Sequence, residues 1–365
     1  VAEHPVSGDL EAMAQNLVAG AKGLLAIDES IGTCNRRFGR FGIPQTSEMR
    51  RSWRETLITT PGLSEFISGA ILFDETIEQK ASNGTRFLEI LAGVGIAAGI
   101  KVDTGTVPLA GHPDEKITEG LDGLRQRLER YSMLGASFAK WRAVFAIDHG
   151  TPSAASVAAN SNALARYAAL CQEAGMVPVV EPEVLMRGTH SIQECEEATE
   201  TVLRSVFVAL QLHGVQLEGM ILKPNMVVPG ADSPNQVAAE LVAQATVRCL
   251  RRVVPAAVPG VLFLSGGQPG PIATARLNAM NSTGPDRPGP QPWALGFSFG
   301  RAIQQPALAI WGGASSERGD AQLSVLHRAR CNTAARQGLY EPAMENHQTP
   351  AIHPYSAAER TALLA

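Results

Sequence analysis

The segment Glu218-Gly-Met-Ile-Leu-Lys-Pro-Asn-Met-Val-Val-Pro-Gly230 sets the reading of the whole chain. Its apolar run, Met220 to Leu222, reads as a short buried strand that ends on Lys223. Pro224 follows at once and cannot donate to a sheet ladder, so the strand stops there. Lys223 is thereby expected at the C-terminal rim of a sheet. An amine in that place either snorkels along its stem to solvent or is desolvated until it is partly neutral and nucleophilic toward a carbonyl. The segment alone leaves both readings open.

Outward from it, short apolar runs recur along the chain: GLLAI (23–27), GAILF (69–73), AGIKV (98–102), SFAKWR (137–142), VPVVEPE (177–183), GMIL (219–222), GVLFL (260–264) and ALGFSF (294–299). Segments of helical period lie between most of them, at 120–134, 154–174, 195–214 and 236–254, and another precedes them, up to Lys22, with Leu10, Met13, Leu17 and Val18 at helical spacing. Alternation of buried strand and amphipathic helix predicts a parallel sheet with crossover helices. Eight such units, with no G-x-G-x-x-G after the first strand, favour a closed (β/α)8 barrel over a doubly wound sheet. We expect one α/β barrel domain over residues 1–340, including the N-terminal helix, and an irregular, mobile tail over 341–365. Residues 104–119 read as a polar loop and 281–292 as a Pro- and Gly-rich surface loop.

Strand ends of such a barrel converge on one mouth. Those here carry Asp28, Lys101, Lys140, Arg142, Glu181, Glu183, Lys223, Ser265 and Arg301. One charged strand end is commonly just solvated or paired; nine on one rim point to a site. Lys140 near Lys223 is expected to raise the cost of protonating either and so lower a lysine pKa. Of Glu181 and Glu183, on one strand, at most one is expected to point straight inward. Ser265-Gly-Gly267 and Gly300-Arg301, after strands seven and eight, offer backbone N–H groups and a guanidinium to a phosphate. Ser30, Thr33, Arg37 and Lys101 are placed to bind a second anion across the mouth. The layout suits a substrate with a phosphate at each end.

Composition excludes other classes. The 365 residues are 45% hydrophobic and 18% charged, enough for a large core, and the net charge is −4 with a pI near 6.1. No long basic run occurs, which argues against nucleic acid and anionic membrane as partners. No apolar run approaches a membrane span, and Val1-Ala-Glu-His lacks the charged-then-apolar pattern of a signal peptide. Cys34, Cys171, Cys195, Cys249 and Cys331 are odd in number, widely spaced and free of C-x-x-C, which fits reduced thiols. The eight histidines show neither H-x-H nor H-E-x-x-H, so no metal site is expected. Of 31 basic residues only six are lysine, and three of these fall at predicted strand ends. A genome bias toward arginine codons is the bland reading of this scarcity, but arginine cannot replace lysine where a neutral amine or compact ammonium is needed.

The stretches LAIDES (25–30), SGAILFDETI (68–77), GIKVD (99–103), EGLDGL (119–124), FAKWR (138–142), VEPEVL (180–185), EGMILKPNM (218–226), FLSGGQ (263–268) and FSFGRAIQ (297–304) resemble class I fructose-bisphosphate aldolase, and its bacterial form most closely. The resemblance runs from about Leu24 to Tyr340. It implies a metal-free, cofactor-free enzyme that cleaves fructose 1,6-bisphosphate reversibly into dihydroxyacetone phosphate and glyceraldehyde 3-phosphate, commonly as a homotetramer. It implies Lys223 as the Schiff-base lysine and Glu181 as the acid–base group for making and hydrolysing the imine. Asp28 takes the C4 hydroxyl proton, Lys140 supplies positive charge beside the reacting centre, and Glu183 tunes its neighbours. Ser265, Gly266, Gly300 and Arg301, with Arg37 helping, are implied to hold the C1 phosphate, and Ser30, Thr33, Lys101 and Arg142 the C6 end.

There are departures. Many members end in a tyrosine that folds over the site, whereas this chain ends TALLA (361–365). Tyr340 matches the pre-tail position and Tyr355 lies farther on, and neither is assigned the tail role. Pro269-Gly-Pro271 replaces the usual acidic residues after Gln268, and Phe299 stands where a tyrosine is common. The expected partners are small sugar phosphates and further copies of the chain, in the cytoplasm or, after removal of a transit peptide, a plastid stroma. The competing readings are a Schiff-base aldolase for another keto-sugar phosphate, a metal-dependent aldolase without support from the histidine pattern, and a barrel scaffold that has lost catalysis.

Overall fold

The computed structural model describes residues 7–148, 150–283 and 288–346. Eight parallel strands close a barrel: β1 (Gly23–Ala26), β2 (Ile67–Leu72), β3 (Ala97–Lys101), β6 (Phe138–Phe145), β7 (Val177–Val184), β8 (Ile221–Leu222), β9 (Gly260–Phe263) and β10 (Ala294–Phe299). Around the barrel they run β1-β10-β9-β8-β7-β6-β3-β2, and β2 returns to β1. Each of the eight apolar runs thus forms a barrel strand, with ends shifted by a few residues at most. The expected (β/α)8 barrel is the fold observed.

Residues two apart along a strand share a face, and two separate cores follow from that. Leu24, Ile71, Phe138, Val177, Val179, Ile221 and Leu262 fill the barrel interior. Helix α1 (Ser7–Leu17) closes the interior from below with Leu10, Ala14 and Leu17. It ends five residues short of the expected Lys22, where the chain passes through positive φ at Gly20 and Ala21. The larger core lies between the strands and the outer helices. Glycines on the strands permit this packing. A methyl group on Gly99 would sit 2.2 Å from the Phe138 ring.

The outer layer comprises α2 (Ile31–Gly39), α3 (Ser47–Ile58), α4 (Asp74–Ile77), α5 (Phe87–Gly93), α6 (Leu124–Leu134), α7 (Ala154–Glu173), α8 (Ile192–Leu212), α9 (Ala239–Val253), α10 (Gly270–Asn281), α11 (Arg301–Trp311) and α12 (Arg318–Arg336). Serines cap several of them: Ser30 opens α2, Ser153 opens α7, and Ser191 opens α8 in a capping box with Glu194.

Residues 104–119 are no open loop but an antiparallel hairpin, β4 (Gly105–Leu109) with β5 (His112–Glu119), turning at Gly111 with φ +78°. Val107 pairs with Ile117, and Thr118 is buried and donates its hydroxyl to the Arg142 carbonyl at 2.9 Å. The polar composition hid this alternation. The 281–292 segment begins on the last residue of the helix Gly270–Asn281 and carries no regular element in the rest of its described part, while 284–287 fall outside the described residues. In the expected tail, 342–346 form a short 3-10 turn; residues 347–365, with Tyr355, lie outside the described residues. All five cysteines are free and buried, and among the described residues no helix is long and apolar enough to cross a membrane.

Candidate active site

A cavity of about 840 Å³ opens at the C-terminal end of the barrel. Its wall includes Asp28, Lys101, Lys140, Arg142, Glu181, Glu183, Lys223, Ser265 and Arg301, the nine rim residues expected from strand ends. Ser30, Thr33, Arg37, Gly266 and Gly300 line it too. The fold therefore brings every sequence-predicted site residue to one hollow.

At its base, β6 and β7 run side by side, with Lys140 in register with Val179 and Arg142 with Glu181. Glu181 and Glu183 both face the cavity, and both are buried. The expectation that at most one would point inward was wrong, because residues i and i+2 of a strand share a face. The same rule puts Lys140 and Arg142 together on β6.

Glu181 stands between the two lysines. Its Oε1 lies 3.2 Å from Lys223 Nζ and its Oε2 3.2 Å from Lys140 Nζ. Lys140 also lies 2.7 Å from Asp28 Oδ2. All four groups are 9% exposed or less, so they interact with little screening by water. Lys223 follows β8 directly, and its N–H donates to the Val180 carbonyl at 2.8 Å, which fixes the lysine backbone against β7. The Pro224 carbonyl accepts from Leu264 N at 3.0 Å, tying the other side to the segment after β9.

The charges in this quartet are set by competition. Burial disfavours the Lys140 ammonium, but the Asp28 and Glu181 carboxylates outweigh it and hold Lys140 well above its ordinary value. The expected lowering of a lysine by its like-charged neighbour is thus reversed at Lys140, because a carboxylate stands on each side of it. Burial also opposes ionised Asp28, yet Lys140 and Lys223 bring it down to about 2. Glu181 is lowered in the same way, burial being overcome by Lys140, Lys223 and Arg142. At neutral pH the quartet holds a fixed ammonium at Lys140 and two carboxylates able to accept protons.

Cationic and small residues line the two ends of the cavity. On one side, Gly266 and Gly267 adopt φ +59° and +98°, conformations that favour glycine and leave the backbone bare for an anion. Gln268 secures this turn, donating to Met226 Sδ at 3.7 Å and accepting from Arg276 at 2.7 Å. Pro269 caps α10, so the altered helix start leaves Ser265 in the wall. Arg301 opens α11 behind Gly300 and is lowered chiefly by burial. On the other side, Lys101 pairs with Asp103 at 2.5 Å, and Arg142 pairs with Glu183 at 2.5 Å. Ser30 Oγ donates to Thr33 Oγ1 at 3.1 Å. Phe299 is fully buried against Phe297, at 5.7 Å between ring centres. Tyr340 donates to Glu345 at 2.8 Å and is not part of the cavity wall.

Sequence reasoning missed three partners. Glu29 adjoins Asp28 and Asp103 adjoins Val102, so their places at strand ends were signal enough. Arg54, on α3, carried no such signal: only the fold brings it 2.8 Å from Glu29.

The chain matches the family model described as fructose-bisphosphate aldolase class-I over residues 9–358. It is 53% identical over 331 residues to a probable fructose-bisphosphate aldolase class 1 of Xylella fastidiosa (strain 9a5c), covering 90% of this chain and 97% of the relative. It is 48% identical over 333 residues to the cytosolic fructose-bisphosphate aldolase 4 of Arabidopsis thaliana, covering 91% and 84%. Among solved structures it is similar to the fructose-bisphosphate aldolase of Plasmodium falciparum, solved with TRAP and a small-molecule inhibitor. That match has a TM-score of 0.89 and 46% identity, covering 92% of this chain and 95% of that one.

Proposed function

The chain belongs to the class I fructose-bisphosphate aldolases, and from that premise we propose that Lys223 is the amine that bonds to the substrate carbonyl. The reaction is reversible cleavage of fructose 1,6-bisphosphate into dihydroxyacetone phosphate and glyceraldehyde 3-phosphate through a Schiff base. The observation that carries the assignment is the Glu181 carboxylate, with one oxygen turned to Lys223 and the other to Lys140.

The steps follow from the charges. Glu181 takes a proton from the Lys223 ammonium, leaving a neutral amine whose lone pair attacks the C2 ketone. Proton return from Glu181 lets water leave, and a protonated imine remains. A ketone holds electrons poorly when an adjacent carbon–carbon bond breaks, whereas an iminium holds them well. Asp28, ionised at neutral pH, accepts the C4 hydroxyl proton; the C3–C4 electron pair moves into the iminium to give an enamine, and the aldehyde departs. Protonation at C3 and hydrolysis of the imine release dihydroxyacetone phosphate and restore Lys223. Lys140 stays an ammonium and stabilises charge developing on the C4 oxygen. Glu183 acts through Arg142, which it pairs.

The phosphate ends follow the cavity. Ser265, Gly266, Gly300, Arg301 and Arg37 hold the C1 phosphate, and Ser30, Thr33, Lys101 and Arg142 the C6 phosphate. Two clamps fix the sugar so that C3–C4 lies against Asp28, which replaces a bimolecular search by a bound geometry. Because Lys101 and Arg142 already hold carboxylates, a phosphate there exchanges one anion for another.

A homotetramer in the cytoplasm belongs to the same proposal. Support comes from Val208 and Leu212, exposed one turn apart on α8, and from five free thiols suited to a reducing compartment. Sedimentation would show the assembly.

The central test is covalent trapping. Borohydride added with dihydroxyacetone phosphate is expected to attach one ligand per chain, located at Lys223 by peptide mass mapping, while EDTA leaves turnover intact. Attachment at another lysine, or none, overturns the assignment.

A further inference from the structure

We propose that Arg54, which does not touch the cavity, is a positioning residue that frees Arg37 to exchange Glu29 for a substrate phosphate. The inference rests on the reading of Arg37 as a phosphate-binding residue.

Glu29 lines the cavity with a largely buried side chain, 13% exposed, and meets two cations. Its Oε1 accepts from Arg37 Nη1 and, at 2.8 Å, from Gln304 Nε2. Its Oε2 lies 2.8 Å from Arg54 Nη1, and its carbonyl accepts from Arg54 Nη2 at 3.3 Å. Arg54 is 2% exposed and sits behind the wall on α3. Arg37 is 8% exposed and lines the cavity from α2. Among the described residues, Arg37 has beside Glu29 only neutral and long contacts, to Gln304 Oε1 at 3.3 Å and Gln305 Oε1 at 3.4 Å, and its buried Nε has no hydrogen-bond partner there.

The asymmetry has a direct consequence. Two guanidinium groups face one carboxylate, so the cluster keeps a net positive charge. Moving Arg37 toward a phosphate would ordinarily strand a largely buried carboxylate, and an uncompensated charge with so little access to water is destabilising. Arg54 removes that obstacle, since Glu29 keeps a buried cation whichever way Arg37 turns. Without Arg54, Glu29 and the phosphate compete for Arg37 alone.

The test is a set of steady-state measurements with fructose 1,6-bisphosphate on the full-length variants R37M, R54M and R54M/E29Q. R54M is expected to raise KM roughly tenfold, with a smaller change in kcat. Adding E29Q, which removes the competitor for Arg37, is expected to bring KM back to within about twofold of the unmodified enzyme. A merely structural role for Arg54 would not be rescued by removing its partner. Should R54M fail to fold, R54K is used instead, with an expected rise of about threefold that E29Q again reverses. An unchanged KM in the Arg54 variant, or a rise that E29Q does not reverse, overturns the proposal. R37M separates the two readings: if its KM is unchanged, the assignment of Arg37 itself fails; if its KM rises while that of the Arg54 variant does not, only the role of Arg54 fails.

Discussion

Two lysines lie within reach of one carboxylate, and what else each touches divides their roles. Lys140 is held between Asp28 and Glu181, so it remains an ammonium. Lys223, among the described residues, pairs with one carboxylate oxygen and has the cavity before it. Lys140→Met is expected to lower kcat on the order of 10²–10³-fold, the range seen when one stabilising donor is removed from a reacting centre. The same change withdraws the nearest cation from Asp28, whose carboxyl now sits near 2. Asp28 should then titrate higher, moving the acid limb of the kcat/KM profile toward neutral pH. A profile whose acid limb stays in place would detach Lys140 from Asp28. Measuring the variant's thermal midpoint alongside separates lost chemistry from lost folding.

At the scale of elements, Lys223 owes its place to the segment that carries it. β8 is the shortest strand of the barrel, and beyond it the chain runs without regular structure through residues that are nearly all buried up to Gly230. Bonds from the segment's amides, one to a side chain and one to backbone, replace the missing ladder: Val227 N donates to Thr246 Oγ1 at 2.9 Å and Gly230 N to the His190 carbonyl at 2.8 Å. A methyl group on Gly230 would stand 2.1 Å from the Gly188 carbonyl oxygen, a backbone atom that cannot rotate away. Gly230→Ala is therefore expected to destabilise the protein by about 1–3 kcal/mol, as overpacking does, with a fall in thermal midpoint by calorimetry. An unchanged midpoint would mean that the segment adjusts freely and does not fix Lys223. The hairpin of β4 and β5 makes the complementary point. Its buried face is narrow, so composition alone suggested a loop, whereas pairing of Val107 with Ile117 and the Thr118 bond to β6 make it part of the rim.

Over the whole molecule, buried charge should govern how stability varies with pH. Asp28, Glu55 and Glu345 are each lowered to about 2 in the folded chain, from 3.8 for the aspartate and 4.5 for the glutamates. A depressed carboxyl contributes stability above its unfolded value and loses it as pH falls toward the folded one. His327 runs the other way. Bonds to Cys331 and Glu345 raise it from 6.5 to about 9, so its contribution is full below 6.5 and is lost as pH rises through 9. The thermal midpoint is accordingly expected to be highest between pH 4.5 and 6.5, to drop steeply toward pH 2, and to decline gently toward pH 9. His327→Gln should flatten the alkaline decline and, because its bond helps hold Glu345 down, also soften the Glu345 part of the acid drop while leaving the Asp28 and Glu55 parts in place; an alkaline decline that persists unchanged would place its origin elsewhere.

How much of this was legible beforehand depends on distance along the chain. Strand–helix alternation and the polar residue ending each apolar run are local properties, and in a parallel barrel all strand ends emerge at one mouth. The sequence by itself therefore determined the fold and brought Lys223, Glu181, Asp28 and Lys140 to one rim. It did not determine which charge answers which. Glu181 between two lysines, Lys140 held by Asp28, and Arg54 behind Glu29 are each contacts between different elements, and no periodicity encodes them. Only the tertiary structure decided those pairings, because interaction between buried charges depends on separation and desolvation, and both are set by packing.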